Sequence, residues 1–294
     1  MARGLLVVNP YASRVTMERV AEIRSALPGD VEVRLTERRG HATDIAREAT
    51  SEGGIDALYM FSGDGGFNEV LNGIDGTIPV GFLPGGNTSV LSRALGLPRD
   101  PLRAAHQLAA GKTRRISVGK VNGRRFGFSA GIGFDAELVR AVDALGRRAD
   151  GKRAGDIAFC WITARTLAKH RGRYDPMLEL EGHGRAALVL VANCNPYSYA
   201  GPIPLKIAPE AEFELGLDIV APTQVGPLDI ARLMRYMVRG KGQRNASDVI
   251  YLHDCDRLVV RCDSPQPLHV DGEDLGDIGE AVFEADRDAL SVFV

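Results

Sequence analysis

The sequence predicts an α/β domain built on a parallel sheet and followed by a β-rich sandwich domain. In residues 1–115, short apolar runs alternate with stretches of helical periodicity, the pattern of βαβ units. In residues 116–294, many short strand candidates are separated by Gly, Pro and Asn clusters, which is typical of antiparallel sheets. We therefore expect an α/β domain over 1–115 and a β-rich domain over 116–294.

The first domain begins with the apolar run Leu5–Val8, a buried strand that ends at Asn9-Pro10. The next strand alternates apolar and polar residues and ends at Thr36. Asp100-Pro101 is an N-cap and first-turn signal for the last helix of this domain. The predicted strands are 5–8, 31–35, 55–61 and 78–83, and the predicted helices are 20–27, 42–49, 90–95 and 101–110.

The second domain has a different pattern. Its apolar runs are short and many are bounded by turn residues, so most of its predicted elements are strands. The predicted strands are 116–121, 125–129, 177–181, 186–194, 217–220, 258–262, 268–270, 281–284 and 291–294. Two helices interrupt them, near 153–170 and 227–239.

The composition excludes several classes of protein. With 36 basic and 38 acidic side chains the net charge is −2, which argues against a nucleic-acid partner. No apolar run approaches the roughly 18 residues that a transmembrane span needs. The four cysteines form no C-x-x-C pair and are expected to be reduced thiols. These features together predict a cytoplasmic enzyme.

A glycine-rich turn follows the third strand, in the segment Ser62–Glu69. A strand, three glycines and a helix place backbone N–H groups at a positive helix terminus, a geometry that holds phosphate. Asp64 lies in the middle of this turn. A carboxylate beside phosphates is tolerated mainly where it faces Mg²⁺ or a hydroxyl proton. The alternative is a tight turn in which Asp64 only caps a helix.

A second glycine turn, Leu83–Ser89, follows the fourth strand and opens another helix. Its side chains could donate hydrogen bonds to phosphate or simply cap that helix. Two such turns at the carboxyl ends of neighbouring parallel strands lie where α/β sheets bind ligands. The pair of turns therefore favours a nucleotide site over two structural turns.

Seven segments, in order along nearly the whole chain, resemble the diacylglycerol kinase catalytic superfamily, which also includes bacterial lipid kinases and relatives of sphingosine kinases. The resemblance implies ATP-dependent phosphorylation of a lipid hydroxyl by an α/β nucleotide domain and a β-sandwich domain. The segments are VVNPYAS (7–13), TERRGHATDIA (36–46), SGDGGFNEVLNGI (62–74), IPVGFLPGGNTSVLSRALGLP (78–98), GIGFDAELV (131–139), KIAPEAEFELGLDIV (206–220) and HVDGED (269–274).

The resemblance also implies site residues. Glu273 would be the general base for the lipid hydroxyl, with Asp271 beside it, and Asp64 would serve the metal–phosphate centre. Mg²⁺ would be held by Asp64. A structural Mg²⁺ near the family-like segment 206–220 would be held by Asp218. The residues implied for ATP are Asn9, Thr36, Ser62, Gly63, Asp64, Gly65, Gly66, Asn68, Glu69, Gly86, Asn87 and Thr88.

Three positions depart from the family pattern. Gly66 stands where a small hydroxyl residue is usual, and Gly86–Ser89 replaces a G-T-x-N or G-T-N sequence. Glu214-Leu215-Gly216 replaces the family's Asp-Asp-Gly, which lies near a structural Mg²⁺. An NAD-kinase-like phosphotransferase is one alternative, because that family shares a G-G-D-G loop. A nucleotide- or lipid-binding regulatory protein without catalysis is another.

A lipid substrate implies contact with the inner face of the membrane by a peripheral protein. Basic residues are concentrated in 147–173 and again at Arg232, Arg235, Arg239, Lys241 and Arg244. Each set could dock on anionic lipid. The interpretation we favour for both is the more common one, a packed helix with a solvated charged side. The oligomeric state is open, with a homodimer as one alternative.

Overall fold

The computed structural model describes residues 2–144, 165–166, 168–169 and 172–294. The chain divides into two compact units, which we call unit 1 (Met1–Val118 with Arg287–Val294) and unit 2 (Gly119–Asp286). The helix predicted near 153–170 falls mostly outside the described residues. No helix in the described part of the chain is long and apolar enough to cross a membrane. The division at 115/116 into functional domains stays a prediction.

Unit 1 contains the predicted parallel sheet. The strand order is β2-β1-β3-β4, and the C-terminal end of the chain's last strand, β16, pairs in parallel with β4 through Val292 and Val80. All strands predicted for residues 1–115 are present. They are β1 (Arg3–Val8), β2 (Asp30–Leu35), β3 (Ala57–Ser62) and β4 (Val80–Pro84), with β16 spanning Glu273–Phe293.

Five helices accompany this sheet, and their ends follow local signals. The Asp100 carboxylate accepts a hydrogen bond from the Arg103 amide at 2.9 Å, which confirms the predicted N-cap. Phe67 of the third helix packs edge-on against Phe82 of β4, with ring centroids 5.2 Å apart. The helices are α1 (Met17–Ala26), α2 (His41–Glu52), α3 (Asp64–Leu71), α4 (Val90–Ala94) and α5 (Pro101–Leu108).

Unit 2 is rich in antiparallel strands, as predicted. Its main strand order is β14-β13-β10-β7-β15-β16. The strands are β5 (Thr113–Val121, which begins in unit 1), β6 (Arg124–Phe126), β7 (Ser129–Gly133), β8 (Leu178–Leu180), β9 (Gly184–Ala186), β10 (Leu188–Ala192), β11 (Ser198–Ala200), β12 (Ile203–Leu205), β13 (Leu217–Pro222), β14 (Val249–Cys255) and β15 (Arg257–Val270). The helices are α6 (Phe134–Ala144), α7 (Pro227–Arg239) and a short 3₁₀ turn (Gln243–Asn245).

Strand β10 is buried on both faces. Val189 and Val191 belong to a core cluster formed with other strands, whereas Leu188 and Leu190 pack in a second cluster that includes Leu138 of α6. Because side chains alternate along a strand, a strand covered on both sides is apolar throughout. This explains why its sequence, LVLVA, shows no polar alternation.

Several elements differ from the sequence-based prediction. The runs predicted as separate strands at 258–262 and 268–270 form the single strand β15, whose pairing register with β16 shifts between Arg261 and Gln266. Such irregularities bend a strand and let it continue past turn-like residues. Helix α6, strand β14 and the β11–β12 hairpin were not predicted, whereas the helix predicted at 227–239 is α7.

Candidate functional site

The two glycine turns of unit 1 lie against each other at the carboxyl ends of β3 and β4, which are neighbours in the sheet. The Gly85 amide donates a hydrogen bond to the Ser62 carbonyl oxygen at 2.7 Å. A Cβ atom on Gly86 would lie 2.8 Å from the Gly63 Cα. The turns can therefore approach this closely only because position 86 is glycine.

Asp64 opens α3 and is partly exposed. Its Oδ1 accepts a hydrogen bond from the Leu91 amide at 3.2 Å, in the first turn of α4. The capping role that the sequence left open is thus realised. The same carboxylate fits a Mg²⁺ that keeps phosphate and water ligands, since such ions are commonly held by one or two protein carboxylates.

Gly66 lies over the side chain of Ser62. A Cβ atom at position 66 would be 2.3 Å from the Ser62 Oγ and 2.7 Å from the Met60 Cε. The Ser62 hydroxyl is buried and has no hydrogen-bond partner in the described part of the chain. Position 66, where the family usually has a hydroxyl side chain, is glycine in this chain. The Ser62 hydroxyl lies in the space next to it.

Two further residues predicted for the nucleotide lie in the neighbouring loops. Asn9 follows β1, and its Oδ1 accepts a hydrogen bond from the Tyr11 amide at 3.0 Å. Thr36, directly after β2, is buried, and its amide donates to the Val8 carbonyl oxygen at 2.8 Å. Neither contact requires a ligand, and the nucleotide roles of both residues stay predictions.

Glu69 caps the N-terminus of α2. Its Oε1 accepts from the Gly40 amide at 2.8 Å and its Oε2 accepts from the Ala42 amide at 3.1 Å. A carboxylate at a helix N-terminus satisfies amides that have no intrahelical acceptor and faces the positive end of the helix dipole. Glu69 therefore joins α3 to α2. Its side chain is occupied by backbone groups rather than aimed at the turn Ser62–Gly66.

In the second turn, Asn87 is exposed and its Oδ1 accepts a hydrogen bond from the Ser13 hydroxyl at 3.1 Å. Thr88 is half-buried. Ser89 is buried in a left-handed conformation with φ of 48°, and its Oγ accepts from the Gly86 amide at 3.2 Å. Ser89 thus fixes the shape of this turn, a role that its position in the sequence did not single out.

In unit 2, Asp271 and Gly272 form the tight turn between β15 and β16. Both have positive φ, 48° and 75°, as a two-residue hairpin turn requires. The buried Asp271 carboxylate accepts three backbone hydrogen bonds, from Gly127 at 2.8 Å, Phe128 at 3.0 Å and Ser129 at 3.1 Å. Asp271 therefore anchors the hairpin to the segment that joins β6 to β7 and to the first residue of β7.

Glu273 follows this turn and is the first residue of β16. Its side chain is 22% exposed, and its Oε2 accepts a hydrogen bond from the Arg124 Nη2 at 2.8 Å. The anchored turn and the guanidinium together hold the carboxylate in one orientation. Arg124 is 149 residues away in sequence, so no motif could have linked it to Glu273.

A polar cluster of the buried His269 and Tyr197 with the partly buried Asp135 lies beside the hairpin. Asp135 Oδ2 is 2.7 Å from the His269 Nε2 and 2.6 Å from the Tyr197 hydroxyl that donates to it. Gly131 pairs with His269 across β7 and β15, and a Cβ atom there would be 2.6 Å from the His269 Nε2. The missing side chain gives the imidazole room to reach Asp135.

This cluster perturbs two pKa values. Burial raises the pKa of Asp135, but the His269 charge and the hydrogen bonds from His269 and Tyr197 outweigh it, so the net pKa is lowered. Burial, followed by the Asp135 charge, raises the pKa of Tyr197 well above its usual value. Tyr197 is therefore a permanent donor. No sequence signal indicated this cluster, although Asp135 and His269 lie in two of the segments that resemble the family.

Asp218 does not fit the Mg²⁺ role implied for it. It is fully buried, and its oxygens accept from the Tyr251 hydroxyl at 3.1 Å and the Asp254 amide at 3.1 Å, with the His253 Nδ1 at 2.8 Å. A hard cation needs carboxylate or carbonyl oxygens with open positions. Among the described residues, no group of three or more Asp, Glu, His or Cys side chains is arranged to hold a metal.

Comparison with known proteins identifies the family. Residues 3–121 match the diacylglycerol kinase catalytic domain, and residues 129–294 match the YegS C-terminal NAD kinase beta sandwich-like domain. The chain belongs to the diacylglycerol kinase family. Within that family it is 28% identical over 285 residues to the diacylglycerol kinase of Bacillus subtilis strain 168, covering 93% of this chain and 90% of the relative.

Solved structures agree at the level of the fold. A diacylglycerol kinase structure from Bacillus anthracis superposes with a TM-score of 0.71 at 20% identity, covering 99% of this chain and 96% of that chain. An NAD kinase from Archaeoglobus fulgidus, solved with ATP, gives a TM-score of 0.52 at 13% identity, covering 99% and 93%. The protein is thus a member of a kinase family whose fold is distantly shared with NAD kinases.

Proposed function

We propose that the protein is a lipid kinase that transfers the γ-phosphoryl group of ATP to the hydroxyl of a diacylglycerol-like or sphingoid lipid. The observation that carries this proposal is Glu273, a partly exposed carboxylate fixed by Arg124 on a hairpin that Asp271 anchors. Family membership supports the choice of a kinase. The names of the relatives support a lipid as the acceptor.

In unit 1, the two glycine turns would hold the phosphates of ATP. Amides at the start of α3 lack intrahelical acceptors and lie at the positive end of the helix dipole, so they would bind phosphate oxygens. Asp64 would hold Mg²⁺ together with those oxygens, and the ion would spread the negative charge of the transferred group. Gly63 and Gly86 keep side chains away from this surface.

Glu273 would act as the general base. The lipid hydroxyl oxygen bonds to the γ-phosphorus while the bond from that phosphorus to the β–γ bridging oxygen breaks, which leaves ADP. The hydroxyl proton passes to a carboxylate oxygen of Glu273. The Arg124 guanidinium donates to the Oε2 of Glu273 and so fixes the orientation of the carboxylate that would accept this proton. Asp271 touches no reacting atom in this scheme and serves as a positioning residue.

The cellular setting is part of the same proposal. A lipid acceptor lies in a membrane, so we place the protein in the cytoplasm and at the inner membrane surface. The absence of a membrane-spanning helix among the described residues is compatible with peripheral contact.

The test is transfer of labelled γ-phosphate from ATP to a lipid panel in detergent micelles, with and without Mg²⁺. The panel contains diacylglycerol, monoacylglycerol, a sphingoid base and a lipid without a hydroxyl, and NAD is assayed in parallel as a soluble acceptor. We expect one hydroxyl lipid to be labelled only with Mg²⁺. Asp64→Asn should lower that rate by about 100-fold or more.

Labelled NAD without labelled lipid would replace the proposal by an NAD-kinase-like activity, for which the distant fold similarity is the motivating observation. Binding of ATP with no labelled acceptor across the panel would refute the kinase proposal for those lipids. It would favour the regulatory alternative, which was motivated by Gly66 and Leu215.

A further inference from the structure

Helix α7 presents an apolar face to solvent. Its inner side is anchored by Leu233, which is 7% exposed and belongs to a core cluster of unit 2. On the outer side, Leu228 is 86%, Met234 38% and Val238 50% exposed. Exposed large apolar side chains in one helix are costly in water, and a group of them marks an interaction surface. We call the residues Leu228, Met234, Arg235, Val238 and Arg239 the α7 outer face.

The basic residues around α7 fall into two groups. Arg232 pairs with Asp229 and Asp248, and Arg244 pairs with Glu210, so these two guanidinium groups are neutralised within the protein. The others, Arg235, Arg239 and Lys241, are exposed, and in the described part of the chain no carboxylate pairs with them.

Only one of these three cations has a described side-chain contact. The Arg235 guanidinium lies 5.8 Å from the centre of the neighbouring Tyr236 ring, on the same helix. Three cations therefore remain beside exposed leucine, methionine and valine side chains.

We propose that the α7 outer face docks on an anionic lipid bilayer. This inference rests on the proposed function, since a lipid kinase must reach its acceptor in a membrane. The charge selects the occupant: three exposed cations are complementary to acidic headgroups, and a second copy of the same positive face would be repelled. The apolar side chains would enter the boundary between headgroups and acyl chains, as in other interfacial helices.

A neighbouring hairpin extends the apolar surface. Ile203, in β12, is 48% exposed, and the Lys206 amide directly after β12 donates a hydrogen bond to the Met237 carbonyl oxygen of α7 at 2.7 Å. The hairpin is thus attached to α7 through its backbone. Ile203 is therefore an exposed apolar side chain on a hairpin that is bonded to α7.

The test is flotation of the full chain with vesicles of phosphatidylglycerol and, separately, of phosphatidylcholine. Wild type is expected to float only with the anionic vesicles. The charge variant Arg235→Gln/Arg239→Gln should lower the partition coefficient about 25-fold, since each cation near an anionic surface contributes roughly fivefold. The apolar variant Leu228→Ser/Val238→Ser should lower it on the order of tenfold or more.

Two control variants remove the same types of side chain from helices other than α7. Met17→Ser removes an apolar side chain that is 60% exposed on α1, and Arg103→Gln removes an exposed arginine on α5. Both should partition as wild type. Equal partition of wild type and the α7 variants would overturn the proposal, as would failure of wild type to bind anionic vesicles. Dissociation of a dimer by the α7 variants without any change in flotation would assign the surface to a second copy instead.

The same variants separate docking from catalysis. With a short-chain lipid that is monomeric in water, α7 variants should retain the wild-type rate, whereas with anionic vesicles containing the long-chain lipid their rate should fall with their partition. Vesicle binding by a wild-type protein that labels no lipid would refute the proposed kinase activity and leave the docking surface standing.

Discussion

Gly66 and Ser62 are predicted to be energetically coupled. A methyl group at position 66 would lie 2.3 Å from the Ser62 Oγ, 2.7 Å from its Cβ and 2.7 Å from the Met60 Cε. Such overpacking costs about 1–3 kcal/mol, while alanine in place of glycine within a helix returns up to about 1 kcal/mol. We therefore expect Gly66→Ala to lower the free energy of unfolding by about 1–2 kcal/mol.

The cost should vanish when the serine side chain is removed. A Ser62→Gly background removes two of these three contacts, and the third is with the Met60 methyl group, the far end of a flexible side chain. Ser62→Ala should relieve the clash only in part, because its Cβ remains. The coupling energy between Gly66→Ala and Ser62→Gly is then expected to be about 2 kcal/mol.

The assay is urea unfolding followed by far-UV circular dichroism for the four proteins of this cycle. Gly65→Ala is the control, because nothing lies within 4 Å of a Cβ atom at that position. It should be neutral or stabilising. If Gly66→Ala costs the same in both backgrounds, or costs nothing, then the packing of this turn is not as described.

Three further predictions concern the described carboxylates. Asp271→Ala leaves three buried amides without their acceptor and should lower the free energy of unfolding by about 3 kcal/mol or more in urea, whereas an unchanged midpoint would contradict the anchoring role. Glu69→Ala should cost about 1–2 kcal/mol through loss of the α2 cap, and Glu69→Gln less; equal, negligible effects would refute it. The Arg140 hydrogen bonds lower the pKa of Asp274, so the folded state binds fewer protons than the unfolded state and stability should be lost as pH falls below about 4. Asp274→Asn should flatten this part of the profile of unfolding free energy against pH. A profile that Asp274→Asn leaves unchanged would count against the pair.

Local signals predicted much of unit 1 from the sequence. The apolar run of β1, the glycine turn before α3 and the Asp100 cap each act within a few residues, so the sequence around them suffices. The two glycine turns were predicted in the same way. The close approach of Gly63 to Gly86 follows from the pairing of β3 with β4.

Unit 2 depends more on distant contacts. Strand β15 continues through Ser264-Pro265, which in isolation indicate a turn, because β16 pairs with residues on both sides of them. The Arg124–Glu273 and Asp135–His269 pairs join residues 149 and 134 positions apart. Such pairs exist only after the strands are in register, so no spacing rule could predict them.

For Asp218, the role implied by the family resemblance differs from the role indicated by its contacts. The resemblance implied a metal role for Asp218, but its carboxylate is buried against Tyr251, His253 and a backbone amide. A short sequence motif records which residue type is present. It does not show whether the carboxylate oxygens of that residue already accept hydrogen bonds from the rest of the protein.

The most direct measurement of the central claim is the rate of phosphate transfer from labelled ATP to diacylglycerol in micelles, for wild type, Glu273→Gln and Glu280→Gln. Glu280 lies on the same strand and pairs with Arg261 at 3.1 Å, so it controls for loss of a paired carboxylate. We predict that Glu273→Gln lowers kcat by about 100-fold or more while ATP binding and Glu280→Gln activity stay at wild-type level. A Glu273→Gln protein as active as wild type, or a wild type that labels no lipid, would contradict the account.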